Sequence, residues 1–159
     1  MPDRPLPTVS YPQEARAAFL RHRDAALEGY EWKQQSPLSI LVTIEAARPD
    51  GGADFYLARF GFQYYPTWPA SVTFVNPNTE QYDPKHWPQS TAPDIAFHAP
   101  YGDAPEGMVC NSMFFEYYFW GGHSPAIRIH WDPQKHTFAA SLHELRIALG
   151  RPYYQGPRS

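Results

Sequence analysis

The sequence has almost no cysteine and no long apolar run, and each shortage closes off a class of protein. Cys110 is the one cysteine among 159 residues. A single thiol makes no intrachain disulfide, so a disulfide-stapled scaffold is excluded, and structural zinc sites built from several thiolates fall with it. No apolar stretch approaches the roughly 18 residues that a membrane-spanning helix needs. Residues 1–15 contain no apolar core of the signal-peptide kind, and neither end carries a lipidation signal, so the expected setting is a reducing cytoplasm. Lys and Arg never cluster, the net charge is −3 and the pI is about 6.1. A nucleic-acid surface would be basic, so no nucleic-acid partner and no membrane partner is expected.

Apolar residues make up 43% of the chain and aromatics 16%, which supplies a real core for one domain over residues 1–159. The 18 prolines form no repeat and punctuate turns and loops. Residues 1–11 read as an extended, flexible Pro-rich tail. From Pro12 to Gly29 the sequence reads as a helix: Pro12 suits the first turn, Glu14 the positive end of the dipole, and Gly29 the C-terminal stop. Leu20 and Leu27, seven residues apart, are assigned to its buried face.

Strand-like runs follow. GYEWKQQ is short and weak, whereas Leu38–Ala46 is rich in Ile, Val and Thr. RPDGG is a turn, and Phe55–Gln63 returns as the second arm of an antiparallel hairpin. A proline-punctuated turn leads to a fourth strand, Val72–Val75. Residues 76–106 read as one long inserted loop. Residues 108–120 are strongly apolar and ambiguous between helix and strand, and IRIHW suggests a short strand. Phe138, Leu142, Leu145 and Leu149 then share one helical face, with Thr137 as the cap and Gly150 and Pro152 as the stop. Helix, antiparallel meander, Cys-bearing loop and C-terminal helix indicate an α+β fold.

Three motifs give this order a meaning. Tyr65-Pro66-Thr67-Trp68-Pro69, followed by Val72 and Phe74, matches a Tyr-Pro-x-x-Pro-x-x-Val-x-Phe pattern. Gly107-Met108-Val109-Cys110 matches Gly-x-aliphatic-Cys, and Trp131-Asp132-Pro133 matches Trp-x-Pro ahead of a helix. In this order they resemble the ubiquitin-conjugating enzymes over roughly residues 12–154. Two departures accompany the resemblance. About 20 extra residues separate Phe74 from Cys110, with another insertion before Trp131. The family's His-Pro-Asn motif is not intact, and the stretch nearest to it is Phe97-His98-Ala99-Pro100-Tyr101-Gly102. Such divergence is similar to bacterial relatives that work with their own activating enzyme and ubiquitin-like protein, where phage defence is a role by analogy.

The resemblance implies a four-stranded meander, and Cys110 as the thioester-forming nucleophile. It implies an activating enzyme, a ubiquitin-like modifier and a target protein as partners, with no bound cofactor and no metal. Passing the acyl group to an amine creates an oxyanion that wants a fixed donor. His98 and Asn111 are the candidates, with Asn76 and Asn78 more distant. Asp103, Glu106 and His123 are candidates for taking the amine's proton. Each residue also has a plainer reading: Cys110 as a small core residue, Asn111 as a turn former, His123 in a surface turn, Trp131 as packing, and Tyr65, Pro66 and Pro69 as shapers of the turn. The dense aromatic stretch 114–120 reads as core with some partner contact. Three other functions compete: a cysteine hydrolase pairing Cys110 with His123, His130 or His136; an inactive scaffold of the same fold; and a metal site of Cys110 with histidines such as His130 and His136.

Overall fold

Alternation along the central strands decides which side of the sheet becomes core. The computed structural model describes residues 2, 5–7, 12–120 and 130–158. Strands β1 (Trp32–Ser36), β2 (Ser39–Ala47), β3 (Ala53–Gly61) and β4 (Ser71–Val75) form one antiparallel sheet in sequence order. Ile40, Val42, Ile44 and Ala46 of β2 point the same way as Tyr56, Ala58 and Phe60 of β3 and Val72 and Phe74 of β4, and all are buried. The RPDGG turn closes the β2–β3 hairpin, with the N–H of Gly52 donating to Asp50 Oδ1 at 2.7 Å and Gly51 at φ +96°.

Helices α1 (Pro12–Ala26) and α3 (Phe138–Ala148) pack on that inner face. Phe19 of α1 stacks on Phe62 with ring centroids 4.3 Å apart, and Phe138 of α3 meets Phe60 and Phe62 edge-on at 4.9 and 5.0 Å. The regular helix ends at Ala26, the N–H of Leu27 still donates to Arg23 O at 2.9 Å, and Gly29 provides the stop with φ +85°. One sequence expectation for α1 is corrected. Leu27 is buried while Leu20 is 39% exposed, and Ala18 and Phe19 form the core face instead. In α3, Phe138, Leu142, Leu145 and the capping Leu149 are buried as their spacing predicts. Thr137 occupies the N-cap position, but its side chain makes no capping bond. The N–H of Phe138 donates instead to the buried Tyr65 hydroxyl at 3.1 Å, so a distant tyrosine does the cap's work.

Segment 76–106, expected as one loop, contains three short elements: a 3₁₀ turn (Pro84–His86) capped by Asp83, β5 (Pro88–Ser90) and β6 (Ala96–His98). β5 pairs with β8 (Tyr154–Pro157), and β6 pairs with β7 (Met108–Cys110). Strands of three residues are too short for a period of two to show, and Pro88 sits at a strand start where its missing N–H costs little. The ambiguous run 108–120 is both things in turn: β7, a tight bend, then α2 (Glu116–Phe119). Ile127, Arg128 and Ile129 of the expected IRIHW strand lie outside the described residues, as does most of the tail 1–11. Among the described residues, no helix is long and apolar enough to cross a membrane.

Phe138 is fully buried between two other phenylalanines. Phe138→Ala is expected to cost about 3–5 kcal/mol of unfolding free energy in urea titrations, by lost burial and the cavity left behind. A loss under about 1 kcal/mol would show that α3 is not docked on the sheet as described.

Candidate functional site

Gly107 sets the start of the cysteine-bearing strand. Its φ is +75°, and a Cβ there would stand 2.6 Å from Trp87 Cζ2 and 2.8 Å from the carbonyl oxygen of His98. Only glycine combines that backbone with that approach. β7 then runs antiparallel to β6, with Ala96 opposite Cys110, Phe97 opposite Val109 and His98 opposite Met108. Met108 and Val109 are buried, whereas Cys110 at the strand end is partly exposed.

The bend after Cys110 is held on three sides. Asn111 is buried; its Nδ2 donates to the backbone oxygen of Asp94 at 2.9 Å, and its Oδ1 accepts the N–H of Met113 at 2.8 Å. Ser141 of α3 donates to the oxygen of Met113 at 2.8 Å, and Tyr118 donates to the oxygen of Ser112 at 2.7 Å. The N–H of Phe115 reaches the oxygen of Ala70, just before β4, at 3.0 Å. The cysteine therefore sits at the lip of a braced turn.

Asn111 stands beside Cys110 in sequence; its Oδ1 and one of its two Nδ2 N–H groups engage backbone, an arrangement that holds the turn. His98 lies diagonally across the ribbon from Cys110, a spacing of about 7–8 Å in an antiparallel ladder. It is exposed, its ring rests 5.2 Å from Tyr101, and partial burial followed by the charge of Arg158 holds its pKa below the ordinary histidine value. A neutral imidazole offers one N–H donor and one acceptor. His123 lies outside the described residues. Asp103 sits in an exposed turn closed by the N–H of Ala104 donating to Tyr101 O at 2.8 Å. Glu106 is paired with Arg59. Asn76 holds its own loop, accepting the N–H of Asn78 at 2.8 Å.

Two residues not singled out from the sequence stand near the thiol. Burial raises the Tyr117 hydroxyl's pKa, and the charges of Cys110 and Asp94 push it further the same way, which places all three groups within electrostatic reach. Asp94 adopts φ +64°, a left-handed conformation that Asp tolerates better than most residues. The Pro93-Asp94 pair is legible as a turn, but nothing in the sequence shows that β6 then carries this turn beside Cys110.

The histidines of the competing readings separate. His136 accepts the N–H of Asp132 through Nδ1 at 2.9 Å, and its ring lies 5.7 Å from Trp131. His130 is exposed, 6.5 Å from the ring of Tyr118. The Tyr118 hydroxyl also accepts the N–H of Trp131 at 2.7 Å, so it joins the post-cysteine bend to the Trp131 segment. Among the described residues, no three His, Cys, Asp or Glu side chains gather as a metal site. Comparison with protein-family models, curated proteins and solved structures finds no match to this chain.

Burial raises the Cys110 pKa, so the thiol form predominates at neutral pH. Iodoacetamide is expected to modify Cys110 more slowly than free cysteine at pH 7. The rate should keep climbing with pH beyond the point where the free thiol levels off, because the thiolate is the reactive form. A rate at pH 7 above that of free cysteine would contradict this environment. Gly107→Ala is expected to destabilise the fold by about 2 kcal/mol or more, through positive φ and the Trp87 clash, as read from chemical denaturation. An unchanged midpoint would show that Trp87 does not press on this position.

Proposed function

We propose that this chain is the conjugating component of a ubiquitin-like modification system, carrying the modifier as a thioester on Cys110. The observation that carries the reading is how the three motif segments meet. Trp131 Nε1 donates to the oxygen of Pro66 at 2.8 Å, joining Trp-x-Pro to the Tyr-Pro turn. Cys110 follows a short strand on a bend anchored to α3 and to the residue before β4. Helix, four-stranded antiparallel meander, cysteine and helix occur in the order that the family resemblance implies.

Charging is an acyl exchange. The Cys110 thiol loses its proton, its sulfur bonds the modifier's terminal carbonyl carbon, and the activating enzyme's sulfur leaves as a thiolate. In the second step an amine attacks that carbonyl, the C–N bond forms, and the Cys110 thiolate departs. The oxyanion between these events needs a donor. His98, on the paired strand, and Tyr117, within electrostatic reach of Cys110, are the candidate donors. Asp94, which also acts on Tyr117, is the candidate for taking a proton from the amine. The partners are an activating enzyme, a ubiquitin-like modifier and a target protein, and ATP is consumed by the activating enzyme.

A cysteine hydrolase is the second reading, supported by His130 standing beside Tyr118, whose hydroxyl bonds the bend after Cys110. One assay separates the two. The protein is mixed with a cognate activating enzyme, the modifier and ATP, then run on non-reducing gels beside Cys110→Ala. The proposal expects a band shift that needs ATP, vanishes with thiol reductant and is absent from Cys110→Ala. No shift with partners shown to be active would overturn it, and ester cleavage without ATP would put the hydrolase in its place.

A further inference from the structure

The outer face of the sheet holds a cavity that the acyl-transfer reading does not use. Arg59 and Thr73 stand opposite each other in the β3–β4 register and point away from the buried Phe60 and Phe74. With Glu106 and Gly107 from the loop before β7, and Glu116 and Trp120 from α2 and its C-cap, they wall a space of about 560 Å³. That volume falls within the range of small-molecule sites.

Its charges are unevenly settled. Glu106 is paired with Arg59, and its backbone oxygen accepts a hydrogen bond from Thr73 Oγ1 at 2.7 Å. Glu116 has no such counter-ion among the described residues. Its carboxyl accepts the N–H of Val72 at 3.0 Å, and the like-signed charge of Glu106 acts on it. The residue is half-buried and lines the cavity. Burial first, with Glu106 in the same direction and the Val72 N–H opposing, pushes its pKa up to about 8. The charged groups that line the cavity with it are Arg59 from β3 and Glu106 from the preceding loop, among uncharged neighbours that include Val72 and Thr73 from β4 and Trp120.

We propose that this cavity binds a primary alkylammonium group, the end of a lysine side chain or of a free polyamine, with Glu116 and Glu106 as its carboxylate partners. The bound cation takes the place of the proton on Glu116. Two carboxylates are then matched by two cations, Arg59 and the ligand, and the site is neutral. An anionic ligand would meet both carboxyl groups, whereas an ammonium also gains from the Trp120 ring in the wall. The proposal stands apart from the thioester reading, because Cys110 does not line the cavity.

Calorimetric titration of the full chain with n-butylamine, in two amine-free buffers of different ionisation heat, tests it. The amine stays protonated throughout the range used, so any pH effect belongs to the protein. Binding is expected to release close to one proton at pH 7, and affinity should rise about tenfold from pH 6 to pH 7. Glu116→Gln, which keeps an acceptor for the Val72 N–H, should weaken binding at pH 8 by about tenfold or more and abolish proton release. Thermal unfolding reports whether that variant is folded; if it is not, proton release by the native chain decides. Spermidine binding tighter than Nα-acetyl-lysine N-methylamide identifies a free polyamine, the reverse order a lysine side chain, and equal affinities support the ammonium site itself. No heat with millimolar butylamine at pH 8, equal binding of n-butanol, or affinity independent of pH would each overturn the proposal.

Discussion

The hydroxyl of Tyr65 is the point on which the rest of the structure depends. It accepts the first free N–H of α3, from Phe138, and shares a hydrogen bond with Nδ1 of His22 on α1. Burial pushes its pKa up to about 12, so the phenol keeps its proton. Burial, followed by the charge of Arg21, lowers the pKa of His22 and favours its neutral ring. One phenol thus joins both helices to the turn that leads into β4. One residue later, Pro66 O takes the Trp131 indole N–H, which brings in the segment ahead of α3.

This joint reaches the cysteine through backbone. α3, fixed at its N-terminus by Tyr65, holds Met113 O through Ser141, and the Trp131 segment holds Tyr118, which holds Ser112 O. Asn111 closes the remaining side onto Asp94. The thiol is partly exposed on a bend whose neighbours are all committed. If Cys110 carries an acyl group as proposed, this bracing would serve the transfer by positioning the sulfur. The same packing buries the thiol in part, and that burial raises its pKa.

The sheet and the last helix were legible because their signals are long and redundant. Ile40, Val42 and Ile44 alternate with the pleat, and Phe138, Leu142 and Leu145 recur at the helical period. Segment 76–106 was opaque because β5 and β6 have three residues each, and their pairing with β8 and β7 is a long-range fact that no local window contains. In α1 the spacing of Leu20 and Leu27 points to the wrong residue, because the helix turns Ala18 and Phe19 into the core and leaves Leu20 exposed. At the candidate site, the Gly107–Cys110 motif picks out the cysteine. That the Asn111 amide engages the backbone of Asp94 and Met113, and that Tyr117 comes within electrostatic reach of Cys110 and Asp94, follow only from the fold.

The central claim is that Tyr65 makes the helices and the Cys110 bend a single cooperative body. Native-state hydrogen exchange in rising denaturant tests it directly, by comparing the amides of Met113, Phe114 and Phe115 with those in the middle of α3. Those three amides donate to Asn111 Oδ1, Asn111 O and Ala70 O. The account predicts that both sets open with the same free energy, and that Tyr65→Phe lowers the two together. A bend that opens at much lower free energy than α3, with no response to Tyr65→Phe, would contradict it.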